Sequence, residues 1–258
     1  MKAPSFAYAK PRSLTEALEL LERPNAKILA GGQSLIPALN MRLSSPALLV
    51  DITGLQGLSN IEARNGTVRI GALCTHSQVE RSPEVREHLP LVAEAVAHIA
   101  HPAIRNRGTL GGSLALADPN AELPACALAL DAVLIVAGKK GERRVPAAGF
   151  FKALFETDLE PDEILVGVEF PRATKSVFLE LARRQGDYAI VGLAGAAKGA
   201  EKRIAFFGVA ATPILLKATS LEQARKSIPT PNGDLYNSPA TKLHLATVLL
   251  ERAWTTLS

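Results

Sequence analysis

Two short stretches decide the reading of this chain: Ala30-Gly31-Gly32-Gln33-Ser34-Leu35 and Arg107-Gly108-Thr109-Leu110-Gly111-Gly112-Ser113. Each carries a glycine pair beside hydroxyl side chains, and the first follows an apolar strand. Glycines there can take positive φ and bring backbone N–H groups against an anion. Ser34, Thr109 and Ser113 add hydroxyl donors, and Arg107 adds a candidate positive charge. Either pair alone reads more readily as a plain turn. Neither loop has the G-x-G-x-x-G spacing of a Rossmann fingerprint or the Gly-Lys-Ser/Thr ending of a P-loop. Together they suit a dinucleotide, whose single diphosphate needs donors on both sides.

Working outward, the sequence predicts a small βαβ-like lobe over about residues 1–55. Ser13 with Glu16 forms a capping-box pattern before Leu14, Leu18 and Leu21, and Pro24-Asn25 stops that helix. Lys27–Ala30 and Leu48–Ile52 read as strands. A middle lobe follows to Pro171, with strands at Thr67–Leu73, Ala132–Ala137, Arg143–Pro146 and Ile164–Phe170. Its predicted helices are Pro90–Ala100 and Leu123–Leu130. Beyond Pro171, strands at Phe178–Arg184, Ala189–Lys198 and Arg203–Ala210 precede helices at Leu221–Ile228 and Ala240–Thr255. A sheet followed by helices indicates a separate α+β unit over 172–258. Pro229–Pro239 reads as a loop.

Composition narrows the function. The 258 residues are 47% hydrophobic and 21% charged, an ordinary globular balance. The stretch Met1–Pro11 lacks an apolar signal-peptide core, and the longest apolar run, Leu123–Ala137, is broken by Asp131 and too short to span a bilayer. A soluble, cytoplasmic chain is expected. The basic excess of +4 is scattered among acidic residues, which argues against nucleic acid. Two cysteines, Cys74 and Cys126, are too few for a four-thiolate iron–sulfur cluster and read as free buried thiols. His98 and His101 have helical spacing but no further ligand nearby, so packing or helix capping explains them better than metal.

At this point the chain resembles the FAD-binding medium subunit of the xanthine dehydrogenase and carbon monoxide dehydrogenase group, the molybdenum hydroxylases. The resemblance lies in Ala97–Ser113, continued by Asp118-Pro119-Asn120-Ala121-Glu122-Leu123-Pro124. It also lies in Ala30–Pro37 and in Gly186-Asp187-Tyr188-Ala189-Ile190-Val191-Gly192, all in the family's order. It implies an α+β fold, with a two-lobed FAD-binding domain of the PCMH type over 1–171 and a smaller α+β C-terminal domain. It implies noncovalent FAD, held at the diphosphate by Ala30, Gly31, Gly32, Gln33, Ser34 and Leu35 and by Thr109, Leu110, Gly111, Gly112 and Ser113. Asp118 and Glu122 resemble polar FAD contacts, and Leu165 and Tyr188 match residues beside the isoalloxazine. The adjacent Cys74 and His76 suggest covalent flavin attachment less well, because the surrounding motifs match the noncovalent branch.

The same resemblance implies an electron-transfer role: electrons arrive from 2Fe-2S clusters in a partner subunit, behind which a molybdenum-cofactor subunit oxidises substrate. They leave to NAD, a quinone or another acceptor. No catalytic side chain is assigned. A stand-alone flavin oxidoreductase and a non-catalytic FAD-binding or assembly protein are the alternatives. Three positions depart from the family pattern: Ala100 where Gly is common, Leu116 where His is common, and Glu180 where Lys is frequent.

Overall fold

A computed structural model describes residues 2–258. The chain begins with β1 (Ala7–Ala9), α1 (Leu14–Leu21), β2 (Ala26–Leu29), α2 (Leu35–Asn40) and β3 (Leu48–Asp51), whose strands form a parallel sheet in the order β1-β3-β2. The hydroxyl of Ser13 accepts from the Glu16 N–H at 3.1 Å, as the capping pattern predicts. The Glu16 carboxylate, however, accepts from the N–H of Arg12 at 2.7 Å, one residue earlier than a capping box requires. Helix α1 buries Ala17, Leu18 and Leu21 against the sheet. Strand β1 escaped the sequence reading: three residues, two of them exposed, give no periodicity.

Next come β4 (Ile61–Arg64), β5 (Thr67–Gly71), and six helices, α3 (His76–Arg81), α4 (Pro83–His88), α5 (Pro90–His98), α6 (Pro102–Arg105), α7 (Leu110–Leu116) and α8 (Glu122–Ala129). The hairpin β6 (Val133–Gly138)/β7 (Gly141–Pro146), the short pair β8 (Phe151–Ala153) and β9 (Glu156–Thr157), and β10 (Ile164–Pro171) complete this part. The five-stranded antiparallel sheet runs β4-β5-β10-β6-β7. Central β10 is buried on both faces from Ile164 to Val168, which explains its unbroken apolar run.

The remainder is β11 (Lys175–Ala182), β12 (Ala189–Lys198), β13 (Glu201–Phe207), β14 (Ile214–Ala218), α9 (Leu221–Lys226) and α10 (Pro239–Leu257). The four strands form an antiparallel meander. Its side chains alternate between two cores. Val191, Leu193, Ile204 and Phe206 pack with Leu249, Leu250 and Ala253 of α10. Ala194, Ala196, Ala205 and Phe207 join Ala125, Ala127 and Ala129 of α8. Small residues on both sides let α8 approach the sheet closely, and a Cβ on Gly192 would collide with the Phe207 ring at 1.9 Å. The third sheet is therefore covered on both faces, and α8 is shared between it and the middle lobe. Lys198 pairs with Glu201, which leaves a two-residue turn at Gly199-Ala200 and accounts for the shortened connection in the sequence.

Candidate functional site

A cleft of about 720 Å³ opens where the three parts meet. Fourteen of the sixteen residues expected at the FAD line it: Ala30, Gly31, Gly32, Gln33, Ser34, Leu35, Thr109, Gly111, Gly112, Ser113, Asp118, Glu122, Leu165 and Tyr188. Two do not. Arg107 is exposed to solvent on the outside of its loop, and Leu110 is fully buried in the core beneath it. In this conformation the Arg107 guanidinium is solvent-exposed and does not line the cleft. Leu110 anchors the loop from below.

The first loop leaves β2 and enters α2. Gly32 has φ of +72°, the left-handed conformation expected of a glycine turn. The N–H groups of Gly32, Gln33 and Ser34 have no protein acceptor among the described residues, while the Gln33 side-chain amide ties back to the Gly31 carbonyl at 3.0 Å. Three successive unclaimed donors in a turn make an anion-binding concavity.

The second loop differs from the expected design. Its backbone donors are largely engaged within the protein: Leu110 N–H to the Cys74 carbonyl and Gly111 N–H to the Ala72 carbonyl, both at 2.9 Å. The Gly112 N–H donates to Thr109 Oγ1 at 3.0 Å and the Ser113 N–H to the Thr109 carbonyl at 3.0 Å. Gly111, Gly112 and Gly31 do not have positive φ. They are glycine because of crowding. A Cβ on Gly111 would lie 2.5 Å from the Ala72 Cβ and 2.7 Å from its carbonyl oxygen, and one on Gly112 would lie 2.8 Å from Thr109 Oγ1. This loop thus presents a rigid small-residue wall, with Ser113 and its hydroxyl at the cleft.

The wall is fixed to the sheet. Ala72 donates its N–H to the Val166 carbonyl at 3.1 Å and accepts from Gly111, which links β10 to the loop through backbone alone. A bulge between Leu165 and Gly167 accompanies this turn of β10 and puts Leu165 at the cleft. Just before it, Arg143 pins the entering segment: it donates to both oxygens of Glu163 at 2.7 and 2.6 Å and to Asp158 Oδ2 at 2.7 Å. These bidentate bonds hold the Glu163 and Asp158 carboxyls below their ordinary range.

The far end of the cleft is acidic. Asp118, Glu122 and Tyr188 line it, and Glu180 of β11 stands behind with its side chain only 3% exposed. Burial pushes the Glu122 carboxyl up to about 8, helped by Glu180 and Asp118. Burial likewise raises Glu180 to about 7 and raises Asp118. The Tyr188 hydroxyl is raised by burial and by Asp118 and Glu122, although the residue as a whole is 69% exposed and forms the rim. Among the described residues, Glu180 Oε2 has no hydrogen-bond partner. His76 lines the cleft below Gly108, and burial lowers its pKa to about 4. Residues that sequence reasoning did not place here include Asn120, Ile99 and Ala72; Asn120 and Ile99 lie inside the quoted motifs, whereas Ala72 carried no signal.

The donor set and the space fit FAD. The cleft lies within the roughly 300–1,000 Å³ of ligand sites, its walls are mainly apolar, and an unclaimed N–H cradle sits in one of them. Fold and site together define a two-lobed dinucleotide-binding protein with an added α+β unit. Comparison with known proteins makes the class specific. Residues 4–173 match the family described as FAD binding domain in molybdopterin dehydrogenase. The 6-hydroxypseudooxynicotine dehydrogenase complex subunit alpha of Paenarthrobacter nicotinovorans is 47% identical over 75% of this chain and 67% of its own length. The caffeine dehydrogenase subunit beta of Pseudomonas sp. (strain CBB1) is 40% identical over 96% and 86%. A chain in the crystal structure of quinoline 2-oxidoreductase from Pseudomonas putida 86 superposes with a TM-score of 0.92 at 36% identity, over 100% of this chain and 98% of that one. The chain belongs to the FAD-binding medium-subunit family of the molybdenum hydroxylases. It is an oxidoreductase component, a flavoprotein subunit of a multi-subunit enzyme. Among the described residues, no helix is long and apolar enough to cross a membrane and no cluster of side chains could hold a metal.

Proposed function

We propose that this chain binds FAD noncovalently in the cleft and relays electrons between partner subunits and an external acceptor, in the cytoplasm. The observation that carries this reading is the pairing of an unclaimed N–H cradle at Gly32–Ser34 with the crowded wall at Gly111–Ser113 across one cleft. In it, the cradle and the hydroxyls of Ser34 and Ser113 hold the diphosphate, and Asp118 and Glu122 contact polar groups of the nucleotide. Leu165 and Tyr188 bound the isoalloxazine. Residues 1–171 clasp the cofactor, and 172–258 brace the clasp through α8. FAD supplies the redox chemistry, and the chain supplies orientation and environment. Electrons reach it from 2Fe-2S clusters of an iron–sulfur subunit, which are filled by a molybdenum-cofactor subunit.

Noncovalent binding is supported by the two groups that could attach a flavin. Cys74 is buried, lies outside the cleft, and has its thiol pushed up to about 11 by burial. His76 is almost fully buried. The test is direct. The FAD-loaded chain is acid-precipitated, and flavin is expected in the supernatant; flavin in the pellet would reject the noncovalent reading. Dithionite should bleach the loaded chain, whereas purines, aldehydes and N-heterocycles should not. Turnover of one of these by the isolated chain would establish a stand-alone oxidoreductase instead.

A further inference from the structure

Glu122 opens α8 and lines the cleft, yet among the described residues no basic group answers it. The donor at its carboxyl is its own backbone N–H. The groups around it are acidic or already engaged. Asp118 precedes it at the cleft, and Tyr188 forms the rim. From β11 comes Glu180, whose Oε2 is unpartnered. From α5 come Glu94, which is exposed, and His98, whose Nδ1 lies 3.6 Å from Glu180 Oε2. Burial lowers the His98 pKa, which disfavours its charged form as a counter-ion for Glu180. Buried Cys126 lies one turn along α8. The cations of the third sheet are spent elsewhere. Arg203 of β13 and Lys198 of β12 face Asp131 beyond the opposite end of α8, Lys202 lies over Trp254, and Lys217 of β14 is exposed.

We propose that Glu122 keeps its proton in the folded protein and meets the bound dinucleotide as a carboxylic acid, with an O–H donor beside a C=O acceptor. The inference rests on the FAD reading above and specifies one contact within it. An ionised carboxylate can only accept hydrogen bonds, whereas the neutral acid both donates and accepts. Its donor–acceptor pair has the pattern of a carboxamide, the group that pairs in two bonds with the adjacent amino donor and ring-nitrogen acceptor of adenine. The edge of the isoalloxazine that carries an N–H between carbonyls offers the same kind of match. Burial and the neighbouring carboxylates stabilise the neutral form. Glu180 is then a positioning residue: its charge, one layer behind, helps hold the proton on Glu122.

The test is FAD affinity against pH, read by flavin fluorescence on the full chain. Between about pH 7 and about pH 9.5, wild-type affinity should fall at least about tenfold as Glu122 loses its donor. Glu122→Gln keeps a donor and an acceptor permanently; it should bind FAD nearly as wild type does at pH 7 and change less than about threefold over the same range. Glu180→Gln should move the wild-type midpoint to lower pH. Infrared difference spectra of the wild-type protein should show the carbonyl stretch of a protonated carboxyl at pH 7 that is lost in Glu122→Gln. Competition by ADP separates the two rings. If ADP binding shows the same pH dependence, the contact is to adenine; if ADP binds without it, the contact is to the isoalloxazine. Tight FAD binding that is flat with pH, or an equal slope in Glu122→Gln, overturns the inference and leaves the FAD reading intact. Absence of FAD binding in wild type at every pH overturns the FAD reading itself.

Discussion

A Cβ on Gly31 would lie 2.1 Å from the carbonyl oxygen of Arg107, so the two glycine loops meet backbone to backbone. The first lobe and the middle lobe touch here at the closest approach a chain permits. Gly31→Ala should therefore act on the fold before it acts on the cofactor. The obstacle is main chain, which cannot rotate away, and a loss of about 3 kcal/mol is expected. The apo melting temperature should fall on the order of 5–10 °C. Gly32→Ala is the contrast: its added Cβ meets only the Ile36 and Leu29 side chains, at 3.1 and 3.3 Å, and the cost is the positive φ, about 1 kcal/mol. Calorimetry of the two apo variants checks this order. Equal melting temperatures would show that the loops do not touch.

How far the site was legible follows from these same residues. The glycine pairs, the hydroxyls and the motif around Asp118 and Glu122 were visible because each is a local pattern. The reason for the glycines was not. Of Gly31, Gly32, Gly111 and Gly112, only Gly32 needs its backbone freedom; the others are small because of Arg107, Ala72 and Thr109, contacts between distant or folded-back segments. The side of its loop that Arg107 takes, exposed and off the cleft wall, is not given by residue type. Helices α2, α3, α4, α6 and α7 span four to seven residues, too short for a helical period to register, whereas α1 and α10 were read nearly to their ends. Strand β11 begins at Lys175 rather than Phe178, since its polar start pairs with β12 without being buried. Glu180, a carboxylate inside an apolar strand, shows in the sequence only as a departure from the pattern the chain resembles. Its partner across the fold, Glu122, could not be known from sequence distance.

Arg203 joins the third sheet to the middle lobe through a single side chain. It is 3% exposed and donates to the carbonyls of Leu128 and Ala129 at 2.9 and 3.2 Å and to Asp131 Oδ1 at 2.9 Å. Those carbonyls end α8, where that of Leu128 also accepts from the Asp131 N–H at 3.2 Å, so the guanidinium completes the cap while spanning to β13. Arg203→Met retains the volume but leaves the Ala129 carbonyl without a donor and breaks the buried contact to Asp131, and should cost about 2–4 kcal/mol. Arg203→Lys, a point charge in place of a planar fork, should recover only part of that. Urea unfolding of the three proteins measures the difference, and an unchanged midpoint in Arg203→Met would remove the cap from the account.

Ala100 sits in the left-handed region, with φ of +42°, a conformation that favours glycine. The strain is retained because its carbonyl is wanted: Arg105 Nη1 donates to it at 3.3 Å, and Gly186 packs against it so closely that a Cβ there would be 2.4 Å away. Ala100→Gly relieves roughly 1–2 kcal/mol of left-handed strain and adds unfolded-state entropy of about 0.5–1 kcal/mol. The net expectation is a gain of about 0.5–1 kcal/mol, a rise of a few degrees in apo melting temperature. A fall in melting temperature would mean that the backbone at Ala100 is unstrained.

The acidic end of the cleft should also make the apo protein more stable in mild acid than in mild base. Glu122 has its folded pKa raised to about 8 from an ordinary value of 4.5. Between those values the folded state holds a proton that the unfolded state has released, so stability falls as pH rises through that window. Glu180, raised to about 7, acts in the same direction over the lower part of it. Other carboxylates, such as Asp234, held well below the ordinary carboxylate range by its bond to Lys242, gain their stabilisation at lower pH and do not oppose this trend. Glu122→Gln removes one titrating group, so the variant should lose less stability than wild type between about pH 5 and about pH 8. The difference should be on the order of a few kcal/mol. Chemical denaturation of both apo proteins at the two pH values measures it. Parallel pH profiles would show that Glu122 is ionised in the folded chain and that its carboxylate has found a counter-charge.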